Sequence, residues 1–178
     1  MNFFKKLFGN SVSPSEEEQK EAEGKEFDVL KYDGMRAFKT GETAFAIECF
    51  RHALRLQEDL EVRDYLSQAL IQSNELLKAY DELQKLADAE PDNIQIVIRM
   101  AHVAYMMENY TVMGDACERG KLLDKDNVDI NYLYARACLG MGDLVNTIAM
   151  LTKTISLDED YVSAYQLRGE TLLKMGDV

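Results

Sequence analysis

Small residues recur along this chain at a nearly constant step of 33 or 34 residues. A fixed period of this length is typical of proteins in which one supersecondary unit repeats and stacks on its own copies. Two antiparallel helices approach closely only where one of them lacks bulk, so one small residue per repeat predicts close packing of two helices. The period therefore predicts a stack of helical hairpins rather than a closed globule. The small residues are Gly34, Ser67, Ala101, Ala135 and Gly169.

A second series follows the first, each member seven residues after a small residue. Three of its five members are glycines, and an acidic residue comes directly after four of the five. Glycine is a frequent turn residue, so we place the turn of each hairpin at this series. Its members are Gly41, Asn74, Glu108, Gly142 and Gly176.

A third series predicts the buried stripe of the second helix in each hairpin. Its members follow one another at steps of four and six residues, which we expect to keep them on one side of a helix with about 3.6 residues per turn. One hairpin cannot bury its remaining apolar face, so about three or more repeats are needed for stability. The series is Ala46, Phe50 and Leu56; Ala79, Leu83 and Ala89; Met113, Cys117 and Leu123; and Thr147, Leu151 and Leu157.

This pattern of helix, turn and helix resembles the tetratricopeptide repeat, a unit of about 34 residues. The best match is the stretch GMRAFKTGETAFAIECFRHALRL, residues 34–56, and Pro91 occupies the loop position at which family members close a repeat. The later repeats depart from the family pattern in local packing positions but keep the period. The departures are Met113 and Thr147 for one alanine, Gly120 and Thr154 for another, and Lys125 and Glu159 for the loop proline.

The resemblance implies an all-α fold, a right-handed α-α superhelix (solenoid) of antiparallel helix hairpins. It covers about residues 26–178, with four complete hairpins and one extra helix. Before it we expect an N-terminal arm, residues 1–25, that is either partly disordered or a short amphipathic helix. The predicted repeats are 27–59, 60–93, 94–127 and 128–161, with a half repeat at 162–178.

The charge and composition argue against several partners and compartments. With 32 acidic and 20 basic residues the formal charge is −12, so phosphate backbones would be repelled and we expect no nucleic-acid partner. No apolar run approaches about 18 residues, and the N-terminus lacks the apolar core of a secretory signal, which predicts a cytoplasmic protein. Cys49, Cys117 and Cys138 occupy apolar helical positions, as expected of reduced thiols in a core.

The two ends do not follow the repeat pattern. Residues 1–12 place four apolar side chains on one face of a short helix and two lysines on the other, which favours either an anchor at a membrane surface or partner, or an arm that is disordered or folds back. Ser13 and Glu16 then predict a capping box, and Gly24 a break in the helix that follows. At the other end, residues 162–175 predict a helix without a hairpin partner. Either the array continues, or this helix packs on another chain.

No set of residues predicts catalysis, so we expect no enzyme activity, cofactor or metal. His52 and His102 lie in different repeats, without a serine or cysteine arranged nearby for nucleophilic attack. Cys49 lies three residues before His52, but a metal site would need two more ligands. The acidic stretch 124–129 lacks the glycine and the final glutamate of a calcium loop and is interpreted as an inter-repeat loop.

What remains is a binding surface. The resemblance implies that the first helix of each hairpin lines a concave groove, where side chains not facing the hairpin partner meet a ligand. These groove residues are Lys31, Met35, Phe38 and Lys39; Tyr65, Gln68 and Gln72; Arg99, His102, Tyr105 and Met106; Tyr132 and Arg136; and Gln166 and Glu170.

The basic and aromatic character of this list predicts the partner. Basic groove residues in a chain of charge −12 favour a peptide with acidic groups or a C-terminal carboxylate, held by charge-assisted hydrogen bonds. The alternative for the groove tyrosines is simple packing between repeats. One subclass of the family clamps acidic chaperone tails, but Met35 and Gln68 stand where that clamp has asparagine or a similar residue, so we do not expect it here.

The sequence therefore predicts a non-enzymatic module that binds a peptide or partner protein. A second hypothesis is a self-assembling structural subunit, for instance a homodimer, that associates through the C-terminal helix or the N-terminal arm. A third is the scaffold part of a larger protein.

Overall fold

The computed structural model describes residues 15–176. Within that range the chain forms nine helices and no strand, which confirms the predicted all-α class. The helices are α1 (Glu16–Thr40), α2 (Thr43–Leu56), α3 (Leu60–Gln72), α4 (Leu76–Ala89), α5 (Ile94–Met106), α6 (Tyr110–Leu123), α7 (Val128–Gly140), α8 (Leu144–Leu157) and α9 (Val162–Met175).

Three of the predicted hairpins are formed by direct contact between their two helices. The chain divides into two compact units, one ending at Val62 and one beginning at Arg63. In the first unit α1 packs along α2. In the second unit α5 packs on α6 and α7 on α8, and each hairpin also contacts the next, through α4 with α5, α6 with α7 and α8 with α9. The first helices α5 and α7 also touch each other, so they share a face.

The small residues lie where two helices meet most closely. A Cβ added to Gly34 would stand 2.7 Å from a ring carbon of Phe50 on α2, and Phe50 is fully buried. Ser67, Ala101 and Ala135 have no exposed surface. Gly169 differs, because it is exposed and an added Cβ would meet no atom within 4 Å.

The predicted turns are confirmed and have one backbone geometry. All five residues of the turn series have positive φ. The first four lie just after the first helix of a hairpin, and Gly176 lies just after α9. After four of them the next amide closes a hydrogen bond to a carbonyl five residues back, as from Asp143 N to Cys138 O at 2.9 Å. This is the usual end of a helix at a left-handed residue. The φ values are 85° at Gly41, 60° at Asn74, 55° at Glu108, 80° at Gly142 and 79° at Gly176.

The third series is correct in its first two members and wrong in its last. The first two members are fully buried in every repeat, whereas the last lies at the end of its helix and is half-buried or exposed. The third buried residue of each helix lies seven residues after the first member of the series. Seven residues make about two helical turns and return to the same face, whereas ten residues do not. The seventh residues are Ala53, Leu86, Gly120 and Thr154.

The start of α1 differs from the prediction. The capping residue is Ser15, whose hydroxyl accepts from the amide of Glu18 while the Glu18 carboxylate accepts from the amide of Ser15. The predicted box of Ser13 with Glu16 is therefore wrong. Gly24 does not interrupt α1, since glycine costs only about 1 kcal/mol in a helix whose neighbouring residues favour it. The predicted anchor at residues 1–12 lies outside the described residues.

No helix between residues 15 and 176 is both long enough and apolar enough to cross a bilayer.

Candidate functional site

All the predicted groove residues lie on first helices, that is α1, α3, α5, α7 and α9. Their surroundings differ between the two units, and each unit is a separate environment. In the first unit Lys31 and Met35 are half-buried, as is Phe38, while Lys39 is exposed. The second unit holds the remaining groove residues, including both arginines and all three tyrosines of the predicted groove.

Lys31 is occupied by the chain's own carboxylates. Its Nζ lies 2.7 Å from Glu61 Oε2 and 3.0 Å from Asp59 Oδ2, and its side chain is mostly buried. The bond to Glu61 raises the pKa of Lys31, against a lowering by burial, and Asp59 raises it further. Because both carboxylates already neutralise this ammonium group, it has little charge left for a ligand.

Arg99 is also paired within the molecule. Its Nη1 lies 2.5 Å from Asp64 Oδ1, and the other oxygen of Asp64 accepts from Gln68 Nε2 at 2.8 Å. Two predicted groove residues, Arg99 and Gln68, therefore hold one carboxylate of α3 between them. Tyr65 and Gln72 lie on the same helix, half-buried and exposed respectively.

Arg136 is different, because it lies against rings rather than carboxylates. Its guanidinium carbon is 3.7 Å from the ring centroid of Tyr105 on α5 and 5.9 Å from that of Tyr132 on α7. No carboxylate among residues 15–176 comes within ion-pair distance of this guanidinium. A guanidinium stacked on a ring keeps the N–H groups of its edge available for a planar acceptor. Arg136 is thus an oriented cation on the face shared by α5 and α7.

A tyrosine that the sequence interpretation missed extends the aromatic surface. The ring of Tyr161, just before α9, lies 5.0 Å from that of Tyr132 between centroids, and its hydroxyl donates to Asp129 Oδ1 at 3.3 Å. Burial raises the pKa of Tyr161 to about 12, with Asp129 contributing. Asn93 and Asn127 cap their helices at this position of the repeat, whereas Tyr161 makes no side-chain cap bond. A tyrosine at a repeat position that holds asparagine in the two preceding repeats could have identified Tyr161 as a surface residue from the sequence.

We call Tyr105, Tyr132, Arg136 and Tyr161 the arginine–tyrosine cluster. The predicted alternative, that groove tyrosines pack between repeats, describes part of it, since Tyr105 touches the next first helix and Tyr132 reaches the residue before α9. Both rings nevertheless remain partly exposed. The cluster therefore packs the repeats together and also leaves part of its surface accessible to a ligand.

His102 lies on α5 with its ring only partly exposed, and it is close enough to this cluster for the charge of Arg136 to affect its pKa. Burial lowers the pKa of His102 and the positive charge of Arg136 lowers it further, while Asp129 raises it. The imidazole is therefore neutral at pH 7, and Arg136 is the principal cation of the cluster.

A small cavity opens beside Arg136. Its volume is about 160 Å³, and apart from Arg136 its walls are mostly apolar or aromatic. Gly140 permits the Tyr110 ring to lie directly against the α7 backbone, because a Cβ at this position would overlap that ring. The sequence interpretation missed four of the six lining residues. The lining is Tyr105, Tyr110, Arg136, Leu139, Gly140 and Leu167.

The remaining groove residues and the acidic loops show no metal site. Met106, Gln166 and Glu170 are exposed. Asp126, in the loop after α6, pairs with Lys153, and Asp129, in the first turn of α7, accepts a hydrogen bond from the hydroxyl of Tyr161. Across residues 15–176, no three or more histidine, cysteine or acidic side chains form a group that could hold a metal ion.

The three cysteines are buried free thiols, and burial raises the pKa of Cys117 to about 12.

The fold defines the class of the protein as an all-α array of helical hairpins that pack consecutively within each unit. No family model matches the sequence, and no curated protein matches it. Solved structures do match.

The chain is similar to a crystal structure of MamA protein, with a TM-score of 0.76 and 19% identity over 86% of this chain and 85% of that one. It is also similar to a MamA structure, residues 41 to the end, from Desulfovibrio magneticus RS-1, with a TM-score of 0.74 and 18% identity over 85% and 86%. Likeness at this identity shows the fold alone. The predicted helical-hairpin repeat is confirmed, while its assignment as a tetratricopeptide repeat stays a prediction.

Proposed function

We propose that this protein is a non-enzymatic interaction module, and that it binds an acidic segment of a partner protein on the face formed by α5, α7 and α9. The fold supports a binding role, since arrays of helical hairpins present extended surfaces made by successive first helices. The free thiols of the three cysteines fit a reducing, cytoplasmic location, which is part of the proposal.

The observation that carries the proposal is the state of Arg136. Lys31 and Arg99 are neutralised by neighbouring carboxylates, whereas the guanidinium of Arg136 is held by tyrosine rings and has no carboxylate partner in residues 15–176. In a chain of charge −12, an arginine that no carboxylate contacts directly and that lies against aromatic rings favours a carboxylate ligand. We therefore assign the main charge contact to Arg136, and only secondary roles to the other basic groove residues.

A titration with a charge-reversed variant tests the proposal. Arg136→Glu should abolish binding of a fluorescent glutamate-rich peptide, followed by anisotropy at physiological ionic strength, where the repulsion by the overall charge of −12 is screened beyond about 8 Å. Arg99→Glu should weaken the binding less. Arg168→Glu is the matched control, because Arg168 is a partly exposed arginine of α9 that lies near the ring of Tyr165. Equal affinity of the wild type and Arg136→Glu would rule out this function.

Self-association is the second candidate, favoured by the apolar exposure of α9. Val162 is 65% exposed, Leu173 62% and Met175 38%, although each is a large apolar residue. Exposed apolar groups grouped on one element are typical of an interface. Light scattering over a concentration series should then show a dimer that Leu173→Glu converts to monomer. A monomer at every concentration would contradict this candidate.

A further inference from the structure

We infer that the cavity beside Arg136 binds one apolar side chain of the partner, so that the bound segment carries an aspartate or glutamate close to a leucine, phenylalanine or methionine. This inference rests on the proposed function and specifies the partner. Its basis is the joint location of a cation and an apolar cavity on one small area of the second unit.

The size of the cavity limits its occupant to a single side chain. Its volume of about 160 Å³ is close to the 150 Å³ or so of an engineered cavity that holds benzene. A leucine, methionine or phenylalanine side chain fits such a space, whereas two side chains do not.

The chemistry of the walls favours an apolar occupant. Leu139 on α7 and Leu167 on α9 provide aliphatic surface, and Tyr105 and Tyr110 add aromatic surface. An apolar side chain that moves from water into this cavity would stabilise the complex in proportion to the apolar area that it buries.

Tyr110 forms its wall only because residue 140 has no side chain. The ring occupies the space that a Cβ of residue 140 would fill, on the last turn of α7. The cavity is therefore a product of close packing between α6 and α7.

The distance between the cation and the apolar walls sets the spacing in the ligand. Arg136 itself lines the cavity, so a carboxylate on the guanidinium and a side chain in the cavity can be only several ångströms apart. In an extended peptide, side chains on one side are about 7 Å apart and two residues apart in sequence. This spacing corresponds to an acidic residue, any residue, and an apolar residue.

The segment is internal to the partner rather than its C-terminus. Residues next to the cavity walls are exposed on both sides, His102 and Met106 along α5 and Gln166 and Glu170 along α9. A peptide lying across the cluster can therefore continue past the cavity in both directions.

Three short peptides test the inference, each acetylated at its N-terminus and amidated at its C-terminus in a serine–glycine background. They contain Glu-Ser-Leu, Glu-Ser-Ser or Ser-Ser-Leu. The wild-type protein should bind the first about tenfold or more tightly than the second, as expected for burial of one leucine side chain. It should bind the third weakly, since Arg136 would have no carboxylate to pair with.

Variants that fill the cavity separate this inference from the proposed function. Leu139→Phe and Leu167→Phe, made separately in case one folds poorly, should remove the preference for Glu-Ser-Leu but keep binding to Glu-Ser-Ser. Leu122→Phe, an exposed position at the opposite end of α6 from Tyr110, is the control and should keep the preference. Thermal unfolding by circular dichroism checks that each variant is folded.

Two results would overturn the inference and leave the proposed function standing. One is equal binding of Glu-Ser-Leu and Glu-Ser-Ser by the wild type. The other is much tighter binding of a peptide that ends in a free leucine carboxylate, which would assign the site to a chain terminus. Binding of none of the acidic peptides would overturn both the inference and the proposed function.

Discussion

The guanidinium of Arg136 lies over the ring of Tyr105, 3.7 Å from its centroid, and so connects two consecutive first helices of the second unit. The contact restricts the movement of the guanidinium before any ligand arrives. A carboxylate that binds its edge then loses less freedom to ordering than it would on a mobile side chain.

Removal of this ring should weaken the binding of acidic peptides without removing the charge. For Tyr105→Leu we expect a loss of up to about fivefold, because the ordering of Arg136 by the ring cannot contribute more to binding than the contact itself, about 1 kcal/mol for a partly exposed cation–π pair. Tyr105→Phe keeps the ring and should bind like the wild type. Anisotropy titrations of the three proteins measure the effect, and equal affinity of the leucine variant would show that the stacking does not orient Arg136.

Binding should also depend on pH through His102. Burial and the charge of Arg136 hold the pKa of His102 below its ordinary 6.5 in the free protein. A carboxylate bound at Arg136 would offset that charge and raise the pKa, so binding takes up a proton and affinity should increase as pH falls below about 6.5.

The matched variant for this pH effect is His102→Gln, which has no titrating group at the position. Its affinity for an acidic peptide should stay constant from about pH 7 down to pH 5.5, above the usual pKa of glutamate. The same pH dependence in both proteins would assign the effect to another group.

Glycines of the small-residue series should respond differently to alanine according to their neighbours. Gly34→Ala should lower the free energy of unfolding by about 1–3 kcal/mol, because the Cβ would press on the buried Phe50 ring. Gly169→Ala, at the same repeat position without a neighbour within 4 Å, should raise it by about 0.5–1 kcal/mol. Urea unfolding measures both, and a stabilised Gly34→Ala protein would contradict the packing explanation.

Glu108 offers a stabilising substitution at a turn. It has a φ of 55°, a conformation that costs a side-chain-bearing residue about 1 kcal/mol. Glu108→Gly should therefore raise the free energy of unfolding by about 0.5–1 kcal/mol. Asn74→Gly is the comparison and should gain less, since asparagine tolerates this backbone conformation. Thermal or urea unfolding measures the difference between the two variants.

Most of the fold could be predicted because it depends on local spacing. Gly41 and Gly142 mark helix ends through the backbone conformation they permit, and Ala46 and Phe50 mark a buried stripe through helical periodicity. The errors arose where a chain end or a helix end weakened that signal. Ser15 caps α1 instead of Ser13, and Leu56 lies at the end of α2, beyond the buried stripe.

The site could be predicted only as a set of positions. Lys31, Arg99 and Arg136 occupy similar predicted groove positions in the sequence. Whether each forms an ion pair depends on carboxylates of other helices and loops. Asp59 pairs with Lys31 and Asp64 pairs with Arg99, whereas Arg136 lies over the ring of Tyr105. Leu139 and Leu167 are ordinary helical leucines until α7 and α9 bring them to one cavity.

The sequence by itself determined the period, the turns and the pairing of helices, because each depends on residues within about one repeat of one another. Only the tertiary structure decided that Arg136 lies on tyrosine rings instead of pairing with a carboxylate, and that an apolar cavity adjoins it. The physical reason is that charge pairing and cavities depend on distances between side chains of different helices, and these distances follow from packing rather than from order along the chain.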